Sequence, residues 1–244
     1  MNQDAGIAAP TVVLVHGAFA DGASWAGVIA ALQTAGVKVQ APANPLRGLA
    51  TDALYLASLV TQIPGKVLLV GHSYGGAVIS SAAVHAANVV GLVYVAAFIQ
   101  DEGETLQGLA EQATDSLLGP ALRPAQYPTG DAAAPGTELY VDPASFPAVV
   151  AADLPAAQAA VLAASQRPAS ALAFGEPSGP VGWKTLPSWA VVSPNDLAIG
   201  PAGERFMAER AGAEIVEVDG SHLLMLSQPR AVADVILSAV AAVA

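Results

Sequence analysis

The chain has no cysteine. That excludes disulfides, thiolate metal sites and a cysteine nucleophile together. Charge is scarce as well: charged residues make up 12% of the sequence, and only nine are Lys or Arg, spread singly. With a net charge of −11, nucleic acid and anionic membrane surfaces are poor partners, and the acidity reads as solubility for an alanine-rich chain. No stretch reaches the about 18 uninterrupted apolar residues that a membrane span needs. Residues 1–4 carry no basic segment followed by an apolar core, so no secretory leader is expected and the cytoplasm is the expected location. What the chain does have is apolar mass, 54% of its residues, enough for one large core over 244 residues.

Valine-rich runs at 11–16, 37–41, 66–70, 89–97, 188–193 and 214–218 alternate with segments of helical period. Trp25, Val28, Ile29 and Leu32 recur at helical spacing and Gly36 closes that segment. Pro201 opens another, with Phe206 and Met207 expected on one face and Gly212 beyond its end. Val232, Val235, Ile236 and Val240 form a last stripe. Repeated strand–helix units imply a six-stranded, mainly parallel sheet covered on both faces, whose active site belongs at the carboxyl ends of the strands. Residues 101–183 break the rhythm: no buried strand is evident, prolines and glycines are frequent, and helices are expected near 104–118 and 143–165. Eighty residues is too long for a loop. The expectation is a cap over 101–183, inserted into a core of 1–100 and 184–244.

Within the third run, Gly71-His72-Ser73-Tyr74-Gly75 fits G-x-S-x-G, the turn that pushes a serine hydroxyl out at a strand–helix join. The short motif alone is weak, but here an apolar strand precedes it and a small-residue helix follows. Gly22-Ala23-Ser24-Trp25-Ala26 has no such strand and reads as a helix start. A nucleophilic serine needs a base. Of the four histidines, His16 falls in a turn, His72 inside the motif and His85 in a helix, and these are read as structural. His222, after the last strand in Val218-Asp219-Gly220-Ser221-His222, is the candidate base. Asp196, after the strand at 188–193, is the candidate acid that fixes the imidazole; Asp101, Glu102 and Asp219 are its rivals. The backbone N–H groups of Tyr74 and Ala18, the latter on the Gly17 turn, are the candidate oxyanion donors. Phe19, Trp25, Tyr74, Phe98 and Trp183 are candidates for substrate contact, with core packing as the alternative. No metal is called for.

These residues give the chain a resemblance to the α/β-hydrolase superfamily, covering nearly all of it. It looks like the small-esterase branch that includes methylesterases and hydroxynitrile lyases, through residues 13–19, 71–76, 195–199 and 221–226. The resemblance implies a cofactor-free hydrolase with a helical cap over an apolar pocket. The lyases of that branch carry threonine in place of Gly17 and lysine in place of Leu223, which disfavours lyase chemistry here. The expected activity is hydrolysis of a small, apolar carboxylic ester through an acyl-enzyme, rising between roughly pH 6 and 8 as a histidine deprotonates. The same three residues could instead serve lactone, amide or C–C hydrolysis, or perhydrolysis. The scaffold could also act as a ligand-binding module. Low surface charge leaves a homodimer open.

Overall fold

All six valine-rich runs become neighbouring strands in the computed structural model, which describes residues 9–129 and 134–244. Residues 1–4, read above for a leader, lie outside the described residues. The chain begins with β1 (Thr11–Val15), α1 (Ala26–Thr34), the two-residue β2 (Val39–Gln40) and α2 (Leu49–Val60). Then come β3 (Val67–Ser73), α3 (Tyr74–Ala82) and β4 (Val89–Ala97). Every residue of β1 and β3 is buried, which is why these strands read as continuous apolar runs rather than alternating ones.

Residues 101–183 hold α4 (Leu106–Gln112), α5 (Leu118–Ala121), β5 (Leu122–Tyr127), β6 (Gly136–Val141) and α6 (Phe146–Val150). They continue with α7 (Ala156–Ser165), β7 (Ala169–Ser170) and α8 (Ala171–Gly175). The expected helices are there, but so is a three-stranded antiparallel sheet, β5-β6-β7, that the sequence pattern does not announce. Strands β5 and β6 are only partly buried, Pro124 sits in an edge strand, and the buried β7 is just two residues long, so neither a continuous nor an alternating apolar pattern marks them.

The chain returns through β8 (Ser188–Val192), α9 (Pro201–Arg210), β9 (Glu214–Glu217), α10 (Leu224–Ser227) and α11 (Pro229–Val243). The large sheet has the order β2-β1-β3-β4-β8-β9, parallel at every pair. Helices α1 and α11 pack together, as do α2 and α3, in the layers that cover it. The stripe Val232, Val235, Ile236 and Val240 is buried, as are Trp25, Val28 and Leu32. One expectation fails: Met207 is buried while Phe206 is 55% exposed, under the Arg210 guanidinium. Adjacent helical residues lie about 100° apart, so one face cannot hold both. Among the described residues, no helix is long and apolar enough to cross a membrane.

Candidate active site

Strand β3 delivers Ser73 to the carboxyl edge of the sheet, and α3 begins at the very next residue. The turn forces Ser73 to φ 52°, ψ −124°, a conformation that costs a non-glycine residue about 1–3 kcal/mol and persists only where packing holds it. The packing is tight. A Cβ on Gly71 would lie 2.5 Å from the Gly75 carbonyl oxygen, and one on Gly75 would lie 2.3 Å from the Val15 oxygen. The neighbouring strand adapts to the turn: β4 skips Ala96, at φ 42°, between partners of His72 and Ser73. This bulge lets Phe98 N–H donate to the Ser73 carbonyl at 3.2 Å.

The structure brings His222 and Asp196 together. His222, in the loop between β9 and α10, donates from Nδ1 to Asp196 Oδ2 at 2.6 Å, with both side chains buried. Asp196, in the loop between β8 and α9, accepts the Ala198 and Ile199 amides on Oδ1 at 2.6 and 3.0 Å. Burial pushes the Asp196 carboxyl up. The opposing charge and hydrogen bond of His222, with Glu204 and the Ile199 amide, outweigh it and hold Asp196 ionised, below the usual range. With Nδ1 committed as donor, Nε2 of a neutral His222 keeps its lone pair. Ser73 Oγ and His222 Nε2 are not hydrogen-bonded to each other in this structure; such bonds commonly tighten only with substrate. The rival acids are engaged elsewhere: Asp101 pairs with Lys184 at 2.5 Å, Asp219 accepts from Asn195 Nδ2 at 2.7 Å, and Glu102 is exposed.

Two other histidines build the surroundings. His72 is fully buried and donates from Nε2 to the His222 carbonyl at 3.0 Å, with ring centroids 4.7 Å apart. Burial first, then the neighbouring imidazole, holds His72 well below the usual histidine range and so neutral. The loop carrying His222 is also held by Ser193 Oγ, which donates to the Gly220 carbonyl at 2.6 Å. His16 accepts the Asn44 amide on Nε2 at 3.0 Å and donates from Nδ1 to the Gly17 carbonyl at 2.9 Å; burial lowers it too. His85 is exposed.

His16 thereby ties the loop after β1 to Asn44, and this loop runs close to the elbow, where a Cβ on Gly17 would sit 2.6 Å from Ser73 Cβ. Gly17→Ala is expected to destabilise the protein by about 1–3 kcal/mol. Pushing the loop off Ser73 should also lower acyl-transfer activity on the order of 10²-fold. A denaturant melt and an ester assay check both halves. Ala18, the next residue, is buried beside this turn. The Tyr74 N–H, first in α3, has no intrahelical acceptor.

Aromatic rings surround the turn, one of which sequence reading did not single out. Phe174, on α8, stacks on Phe19 and on Tyr74 at 6.2 and 6.3 Å. Tyr74 Oη is occupied, donating to the buried Asp52 at 2.8 Å. A cavity of about 480 Å³ is lined by Phe98, Leu118, Leu122, Leu139, Ala171 and Phe174. A smaller one, about 190 Å³, is lined by Ala18, Phe19, Phe146, Val150, Leu162 and Leu223. Trp25 is fully buried, edge-on to His72. Trp183 donates to the Gln100 carbonyl at 2.9 Å and lies under Lys184, so neither tryptophan joins the Phe19–Phe174–Tyr74 group. Among the described residues, no group of His, Asp and Glu converges as a metal site.

A sequence model of the alpha/beta hydrolase family matches residues 12–235. A carbendazim-hydrolysing esterase of Nocardioides sp. (strain SG-4G) is 35% identical over 114 residues, which are 41% of this chain and 47% of that protein. The match thus spans less than half of that relative's length. Among solved structures, polyneuridine aldehyde esterase superposes with a TM-score of 0.80 at 22% identity, over 95% of this chain and 99% of its own. A methylesterase from Arabidopsis gives 0.77 at 20% identity, with coverage of 95% and 99%. At these identities the structural likeness establishes the fold.

Proposed function

Because the chain belongs to the alpha/beta hydrolase family, we propose that it is a serine hydrolase that cleaves small, apolar carboxylic esters through an acyl-enzyme. Ser73 Oγ attacks the ester carbonyl as His222 Nε2 takes its proton. His222 then protonates the leaving alcohol, and in the second half-reaction it activates the water that releases the acid. Asp196 keeps the imidazole in the right tautomer and stabilises its charged form. The N–H groups of Tyr74 and Ala18 receive the oxyanion. No cofactor takes part, and the cytoplasm is the proposed location.

The observation that carries this reading is the buried 2.6 Å pairing of His222 with Asp196, in a fold whose strained elbow presents a serine. The name of the partial relative, an esterase, supports ester chemistry. Residues 101–183 serve as the cap on a core of 1–100 and 184–244. The cavity walled by Phe98, Phe174 and the leucines supports an uncharged, apolar substrate, with Phe19 near the reacting carbonyl.

An organophosphonate probe followed by peptide mass mapping tests the assignment without knowledge of the substrate. The adduct is expected on the peptide containing Ser73. Labelling elsewhere, or none, would refute the nucleophile. A panel of aryl esters, carbamates and lactones then ranks the chemistry, and slow turnover with stoichiometric product retention would favour a ligand-binding module instead.

A further inference from the structure

A second carboxyl lies behind the acid. Glu204 stands in the first turn of α9, where an exposed acid would simply favour the helix dipole. The fold turns it inward to 2% exposure. Its Oε2 accepts the Ser193 amide at 3.1 Å, while Oε1 is buried without any N–H or O–H donor. The Asp196 carboxyl is the side chain that faces the Glu204 carboxyl closely enough to share a hydrogen bond with it. Two ionised carboxylates in contact, shut from water with no cation between them, repel strongly. One proton on Oε1 converts the repulsion into a hydrogen bond. Asp196 does not take that proton, because its oxygens already accept two amides and an imidazole N–H.

We propose that Glu204 is a positioning residue for the Asp196–His222 pair, a neutral carboxylic acid that donates from Oε1 to the Asp196 carboxylate and braces it toward the imidazole. The inference rests on the reading of Asp196 and His222 as acid and base. Burial first, then the field of Asp196 and the hydrogen bond to it, drive Glu204 well above the carboxylate range; the Ser193 amide and the Arg205 guanidinium oppose this. The other charged side chains around α9 have partners of their own, Arg210 with Glu104 among them. Glu217 pairs with Arg205, Glu214 accepts from Trp189 Nε1, Glu111 from Gln107, and Asp115 from the Ala202 amide.

The test compares Glu204→Gln, which keeps a donor for Asp196 and an acceptor for Ser193, with Glu204→Leu, which keeps neither. The glutamine variant should hold kcat within about threefold of the original chain, while the leucine variant loses about ten- to a hundredfold in kcat with KM little changed. Equal losses in both, or none in either, would overturn the proposal. Melting curves against pH give a readout independent of activity. A glutamate that is neutral when folded ionises in the unfolded chain above its ordinary 4.5, so the folded state then binds more protons and stability falls as pH rises. The original chain should therefore lose ground to Glu204→Gln between about pH 5 and 8, growing with pH. Parallel curves, or a glutamine variant that does not fold, would overturn the proposal even if the leucine variant is insoluble. Ser73→Ala, assayed alongside, separates the two readings. Hydrolysis that survives there refutes the serine mechanism. Hydrolysis abolished there, with both Glu204 variants tracking the original chain, refutes this inference alone.

Discussion

Ser73→Ala is expected to lower kcat for an activated aryl ester by about 10⁴-fold or more, with the thermal midpoint unchanged or raised. The two halves have different causes. In the proposed mechanism activity falls because the hydroxyl is the atom that would form the covalent bond, and the proposed oxyanion donors left behind could only stabilise slow attack by water. Stability holds because Ser73 Oγ has no hydrogen bond to lose to His222, and alanine keeps the same backbone conformation at φ 52°. Continuous ester assays with calorimetry on the same preparation check both. Residual activity above a tenth of the original would remove the acyl-enzyme. A large fall in midpoint would show that the serine serves the fold.

Asp196→Asn should cost about 10⁴-fold in kcat, by way of the imidazole tautomer. Oδ1 of Asp196 accepts two amide protons, from Ala198 and Ile199, and Oδ2 accepts the Nδ1 proton of His222. An asparagine has one acceptor oxygen, which the two backbone N–H groups claim. Its NH₂ then faces Nδ1, which must become the acceptor and send the ring proton to Nε2. An imidazole protonated at Nε2 cannot receive the serine proton. The variant should fold, since one acceptor still meets the two amides, and its kcat should stay depressed across the pH range where the original chain is active. A loss of less than tenfold would mean that Asp196 only holds its loop.

Much of this was legible from the residues because buried parallel strands and a strand–turn–helix serine leave strong local patterns. All six strands of the main sheet lie within a few residues of their valine-rich runs, although β2 shrinks to two residues at the edge. Few histidines left few candidates to pair with Asp196, and the loop after the last strand singled out His222, which the structure does place against that carboxylate. The antiparallel sheet escaped notice because its burial is set by packing partners distant in sequence, and its own residues alternate only weakly. Phe174 was hidden for the same reason: nothing local says that a five-residue helix will set its ring against Phe19 and Tyr74. Glu204 is the most instructive omission. A glutamate three residues after a helix-opening proline looks like a solvent-facing dipole partner, and only the path of the Asp196 loop decides that it faces inward.

The hydrogen bond from His72 to the backbone of His222 has a thermodynamic consequence. It fastens the loop carrying His222 to the third of six strands, from a side chain with no exposed surface, so swinging that loop away would leave a buried ring nitrogen without its partner. Segments whose backbone hydrogen bonds are more exposed should therefore open first on warming, with His222 and Asp196 still held together.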